Sequence, residues 1–227
     1  MSPSREEILS CIDYTLIKPD ATYDYVKKFC NDAITHSFFG VAILPIYLPI
    51  AKQELKGSNV KIISFVSYPM GNNPIELKSH TAKLLLKEGV DEIDMVINTS
   101  ALFSEEIEKV KSEIEEINRI IHREQKLLKI IIELPIIGYE NANKVCEIIN
   151  RAQADYVSTS AGFKSFKPLG WRPVSVQHIQ FLKKSLDSNI KVKASGGIRT
   201  HKQLMALIKA GASRIGTCSA SIIRRVK

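Results

Sequence analysis

The chain has 227 residues, 44% of them hydrophobic, and a formal charge of +8. That length and composition suit one domain with a sizeable core, and the single-domain reading spans residues 1–227. No apolar run approaches the length of a membrane span and "MSPSREEILS" offers no secretory core, so no membrane partner is expected and the chain reads as cytoplasmic.

In chain order, the β-branched run "IDYTL" from Ile12 predicts a first strand, followed by a helical segment over 22–35. "FGVAIL" from Phe39 and "VKIISFVS" from Val60 predict the next two strands, with helices over 45–56 and 74–88. Pro45 and Pro74 sit where a first helical turn tolerates proline. "DEIDMVIN" from Asp91 predicts a fourth strand. After it Ile107, Val110, Ile114, Ile117 and Ile121 recur in alternating steps of three and four, with Ser104 as N-cap and Glu105 and Glu106 in the first turn. "LLKIIIE" from Leu127, "ADYVS" from Ala154, "IKVKA" from Ile190 and "SRIGT" from Ser213 predict four more strands. Helices are expected over 140–152, 174–186 and 200–210, and the closing "IIRRVK" reads as a solvated helix terminus.

This alternation predicts an α/β fold, a single closed (β/α)8 TIM barrel, and the dinucleotide fingerprint of an open sheet is absent. Catalytic residues of such barrels sit at the C-terminal strand ends. Those ends offer Asp13 and Thr15, Asp94 and Asn98, Lys129 and Glu133, Ser158 and Ser160, Lys193 and Ser195, and Gly216 with Ser219.

The positive charge favours anions. The lysines are spread over many helices with no aromatic-interleaved stripe, so small phosphorylated metabolites are expected rather than nucleic acid. Cys11, Cys30, Cys146 and Cys218 are scattered, which predicts reduced thiols and no metal site, with Cys218 placed to line a functional turn. "KASGGIRT" sets Lys193 before Gly196, Gly197 and a helix start, where a phosphate is favoured, and "GTCSAS" from Gly216 gives a second glycine turn from the next strand. An ordinary βα turn would also suit these glycines. Asp94 lies in an otherwise apolar run and needs partners, which Lys193 and Lys129 could supply, either in an active site or as a salt bridge that fills the barrel interior.

Six motifs in order, "DYTLIKPDAT", "EIDMVIN", "LLKIIIE", "TSAGF", "KVKASGGIRT" and "GASRIGT", resemble the deoxyribose-phosphate aldolase family over nearly the whole chain. The resemblance implies a barrel of class I aldolases without a cofactor, joining acetaldehyde to glyceraldehyde 3-phosphate through a lysine Schiff base. It implies Asp94 as the acid/base, Lys193 as the second lysine, and Gly162, Gly196, Gly197, Gly216 and Ser219 as the phosphate site. The family's members are often dimers, so a homodimer is the implied assembly.

Against that pattern, Ser158 stands at the Schiff-base position, and a hydroxyl cannot form the iminium electron sink. Tyr14 stands for a histidine, Ala42 and Leu44 for a cysteine and an asparagine, and Leu134 for a threonine, which predicts a less polar pocket. No tyrosine follows Tyr156, so the family's tail tyrosine is not expected to serve. The loop "AGFKSFKPLGW" brings Lys164, Lys167 and Trp171, the last either covering the site or anchoring the loop.

Three readings follow. Lys193 or Lys164 could form the imine in place of the missing lysine, although Asp94 opposes a free amine at Lys193. Alternatively Asp94 and Lys193 enolise, cyclise, condense or dehydrate a carbonyl substrate without a covalent bond, while Ser158 and Ser160 serve an oxyanion and Asp13, Tyr14, Leu44, Lys129 and Leu134 line the substrate. The third reading is a non-catalytic relative that binds a phosphorylated ligand or a partner protein.

Overall fold

A computed structural model describes residues 3–163, 172–219 and 222, and Lys164, Lys167, Trp171 and most of "IIRRVK" lie outside them. Eight strands form a closed parallel barrel in sequence order: β1 Ile12–Leu16, β2 Gly40–Ile43, β3 Lys61–Val66, β4 Glu92–Val96, β5 Leu127–Ile131, β6 Tyr156–Ser158, β7 Lys191–Ser195 and β8 Arg214–Thr217. All eight predicted strands are present. β1 closes the ring by pairing Asp13 with Gly216 on one side and with Gly40 on the other.

The helices are α1 Arg5–Leu9, α2 Tyr23–Thr35, α3 Leu48–Glu54, α4 Ile75–Lys87, α5 Thr99–Phe103, α6 Ile107–Arg123, α7 Leu134–Ala152, α8 Val176–Ser185 and α9 His201–Lys209. Several helix boundaries differ from the sequence reading. Ser104 ends the short helix α5 and does not open α6, whose N-cap is Glu106, because Asn98 accepts from the Ala101 amide and starts α5 early. Pro74 is itself the N-cap of α4, while Pro45 opens a 3-10 turn before α3. The helix expected over 140–152 begins at Leu134, since Glu133 turns the chain at φ 53 and Pro135 suits a first turn; Gly138, at φ 72 and ψ 173, kinks it.

Period-two alternation separates two cores. Outward residues such as Val41, Ile43, Ile93, Met95, Ile130 and Val157 pack with the helices, whereas Ala42, Ile63, Phe65, Val96, Ile131 and Ala161 fill the upper barrel interior.

Below that apolar layer lies a charged one. Asp13, Glu92 and Asp94 meet Lys129, Lys193 and Arg214, all buried. Lys129 Nζ contacts Glu92 at 2.6 Å and Asp94 Oδ1 at 2.7 Å, Lys193 Nζ contacts Asp13 at 2.6 Å and Asp94 Oδ2 at 2.7 Å, and Arg214 reaches Asp13 at 2.9 Å and Glu92 at 3.4 Å. The Arg214 guanidinium also lies 3.3 Å from the centre of the Phe39 ring and donates to Tyr156 Oη at 3.3 Å. Three carboxylates against three cations leave the layer neutral, which is the condition for burying it. Lys129→Met removes one cation beneath two carboxylates, and denaturant unfolding is expected to show a loss of about 3–5 kcal/mol.

Candidate functional site

The alternation that buries Asp13 also lifts Asp94, Ser158, Lys193, Ser195 and Gly216 toward the C-terminal end of the barrel, where they line a cavity of 560 Å3. Ser160, Gly162, Gly196, Gly197 and Ser219 line it as well, from the loops after β6, β7 and β8. Asp94, Lys193 and Ser158, singled out for catalysis, are therefore brought together with all five residues singled out for phosphate. Gly216 is required by packing: a Cβ there would meet Ser195 Cβ at 2.9 Å and Lys193 Cε at 3.1 Å. Its missing side chain is the space those two occupy.

Five residues expected to line the substrate are elsewhere. Asp13 and Lys129 belong to the charged layer beneath the cavity and touch it only through Lys193 and Asp94. Tyr14 faces outward, one residue out of phase with Asp13, and its ring stacks on Phe29 with centroids 3.8 Å apart. Leu134 packs in the helix layer, and Leu44 borders a separate 220 Å3 cavity. The pocket does have apolar walls, but Ile17, Pro19, Phe65, Ile131, Phe163 and Ile198 provide them. Lys18 and Arg199 add cations, and the exposed Cys218 lines the same space. Asn98 turns away from the cavity and donates to Glu113 at 3.0 Å, and Glu113 also holds the buried Lys78 at 2.6 Å.

The floor is held by interlocking hydroxyls. Ser195 Oγ donates to the Ser160 carbonyl, so in its 2.8 Å contact with Ser158 Oγ the Ser158 hydroxyl is the donor. Thr159 Oγ1 accepts from the Ser195 amide at 2.9 Å and donates to the Ser195 carbonyl at 2.7 Å, which ties the tops of β6 and β7 together. The start of α9 is capped from within, with Gln203 Oε1 accepting from the amides of Arg199 and Thr200 at 3.0 and 3.1 Å. Those two amides are thus occupied before the helix begins, and the glycine loops and side-chain cations line the same cavity for an anion.

Electrostatics divides the carboxylates of this end of the barrel. Burial alone would raise Asp13, but Lys193, Lys129 and Arg214 outweigh it and hold the group down at about 2. Burial likewise disfavours the Lys129 ammonium, and Asp94, Asp13 and Glu92 overcome that and hold its pKa above the usual lysine range. Glu133 is the opposite case. Only 1% exposed, it has no ion pair among the described residues, and burial pushes it up to about 7 against the hydrogen bonds it accepts from the Ala161 amide and from Ser160 Oγ at 3.0 Å. The sequence placed Glu133 at a strand end without giving it a role.

Because the folded state keeps this proton over a range in which the unfolded chain has released it, Glu133 lowers stability as pH rises from about 4.5 to about 7. The loss is of order 3 kcal/mol. Denaturant unfolding on either side of that window should show it in the wild type, and Glu133→Gln should flatten it.

No protein-family model matches the chain. The deoxyribose-phosphate aldolase of Thermococcus kodakarensis is 38% identical over 218 residues, 95% of this chain and 95% of that protein. The one from Treponema denticola is 38% identical over 217 residues, 96% and 98% of the two chains. Among solved structures, the tetrameric deoxyribose phosphate aldolase of Aeropyrum pernix matches with a TM-score of 0.87 at 28% identity, covering 97% of this chain and 90% of that one. A structure described as QR15, an aldolase, matches at 0.85 with 30% identity, covering 95% and 92%. With identity of this order running the length of both chains, the protein belongs to the deoxyribose-phosphate aldolase family.

Proposed function

We propose that the protein is an aldolase-family enzyme that performs acid/base chemistry on a small phosphorylated carbonyl compound without a covalent imine. The observation that carries this reading is the position of Asp94 and Lys193: joined at 2.7 Å, they stand together at the floor of the 560 Å3 cavity. Ser158, at the place the family resemblance gives to the Schiff-base lysine, adds only a hydroxyl there.

In this reading the ligand's phosphate lies against Gly162, Gly196, Gly197, Gly216 and Ser219, near Lys18 and Arg199, which line the same cavity. Its carbonyl carbon is then held over the Asp94–Lys193 pair. Removal of an α-proton by the pair leaves the electron pair on the carbonyl oxygen as an enolate, which Ser158 and Ser160 serve by turning their hydroxyls from Ser195 Oγ and Glu133 Oε2 toward it. The contact between Lys193 Nζ and Asp94 Oδ2 lets the abstracted proton pass along the pair and return to carbon, or to an oxygen that leaves as water. The apolar walls at Ile17, Phe65 and Ile131 exclude water from the enolate.

A second reading keeps the aldolase imine and moves it to Lys193, which is in register with Ser158 on the neighbouring strand. Its cost is specific. A nucleophilic Nζ must leave two buried carboxylates, at 2.6 and 2.7 Å, and leave both short of a cation.

Proton NMR in D2O tests the first reading. The wild type is expected to exchange the α-hydrogens of deoxyribose 5-phosphate or glyceraldehyde 3-phosphate, and Asp94→Asn and Lys193→Ala are each expected to slow exchange by about 100-fold or more. A folded wild type that exchanges neither compound, or an Asp94→Asn variant that exchanges normally, would contradict it.

A further inference from the structure

Among the described residues, Glu133 is a buried titratable group at this end of the barrel that the proposed chemistry leaves unused. It follows β5 as the N-cap of α7, in the left-handed region at φ 53 and ψ 45, and its side chain reaches the loop after β6. There Oε1 accepts from the Ala161 amide and Oε2 accepts from Ser160 Oγ at 3.0 Å. Ser160 Oγ in turn accepts from the Gly162 amide at 3.0 Å. Ser160, Ala161 and Gly162 all line the cavity, whereas Glu133 stands behind them. The carboxylate is thus one hydroxyl away from any ligand in the cavity.

The direction of that hydroxyl depends on the carboxyl group. An ionised Glu133 only accepts, so it takes the Ser160 hydrogen. A protonated Glu133 has a hydrogen to give, which releases the Ser160 hydrogen for another acceptor.

We propose that Glu133 is the positioning residue that aims the Ser160 hydroxyl: as the acid it donates to Ser160 Oγ and turns that hydroxyl into the cavity, toward an anionic or oxyanionic ligand oxygen. Binding of such a ligand is therefore accompanied by uptake of one proton at Glu133. This rests on the reading of the cavity as the site of a phosphorylated carbonyl compound.

The surroundings of Glu133 fit a group free to change its proton. From the neighbouring strands, Asp94, Lys129 and Lys193 pair with one another and with Asp13 and Glu92, and none pairs with Glu133. Lys18 and Arg199, further cations of the cavity wall, make no ion pair with it among the described residues. From the segment after β3, the Tyr68 phenol donates to the Ala161 carbonyl at 3.0 Å, and burial, then Cys218 and Glu133, hold it above the usual tyrosine range. Tyr68 therefore does not titrate across the neutral range. Burial sets Glu133 itself near neutrality.

Sulfate, which does not titrate near neutrality, is the probe. Its binding to the full-length wild type and variants is followed by calorimetry across pH, with the Glu133 carboxyl followed in glutamate-labelled protein by carbon-13 NMR. Wild-type affinity is expected to fall about tenfold per pH unit above about 7, and sulfate should raise the carboxyl's midpoint. Glu133→Gln, whose amide donates to Ser160 Oγ as the acid does, is expected to keep the low-pH affinity of the wild type at every pH. Ser160→Ala is expected to bind weakly, with little pH dependence. Glu133→Asp serves to assign the resonance if the Gln variant does not fold.

A Glu133 carboxyl titrating in the ordinary carboxylate range overturns the proposal, as does a pH dependence that survives in Glu133→Gln and so belongs to another group. A wild type that binds no sulfate at any pH overturns the anion-site reading instead, which the carboxyl titration tells apart.

Discussion

Asp94 is held at both carboxylate oxygens, by Lys129 at 2.7 Å and by Lys193 at 2.7 Å, and those two contacts govern the upper half of the barrel. None of the six charged side chains of this layer, Asp94 included, could be buried alone, since an isolated ion in this setting costs several kcal/mol. Together they balance, and balance fixes their positions. Arg214 and Lys129 tie the layer to Glu92 and Asp13, while Lys193 is left at the top, 3% exposed, as the cation that faces both the layer and the cavity. The cavity floor is thus the upper surface of an ionic network, and a change at any member is felt at the site.

Glu133 gives the same end of the barrel a carboxyl group of contrasting character. Asp13, among cations, is held far down, and Glu133, among hydroxyls, amides and apolar walls, is pushed up. Environments that separate acidic groups in this way let one fold supply both an ionised carboxylate and a protonated acid at one pH. On the Glu133 side, the loop after β6 supplies the Ser160 hydroxyl and the Ala161 amide that donate to the carboxylate.

Much of this was legible in the sequence, for identifiable reasons. β-Branched runs separated by helical periods gave all eight strands, and the rule that chemistry sits at the C-terminal strand ends gathered Asp94, Ser158, Lys193 and the glycines that share the cavity. The errors at Tyr14 and Leu134 came from the direction of the backbone. With Asp13 facing inward, period two sends Tyr14 outward onto Phe29, and Leu134 opens a helix instead of ending a strand. Reading those positions as pocket residues compared identities without asking which way the backbone turned them. Glu133 could not be weighed from the sequence at all, because its burial and its two bonds to the β6 loop arise only when β5 and β6 are side by side. Ser104 was misplaced because Asn98 caps a separate short helix, α5, which Ser104 ends before the isoleucine repeat begins.

The central claim is that Lys193 works as part of an ion pair and not as a nucleophilic amine. Intact-mass spectrometry after incubation with deoxyribose 5-phosphate or acetaldehyde and borohydride, with Lys193→Ala alongside, tests it most directly. The account predicts no reduced adduct on the wild type. An adduct that maps to Lys193 and disappears in the variant would contradict it, and would mean that the amine leaves Asp13 and Asp94 to form an imine.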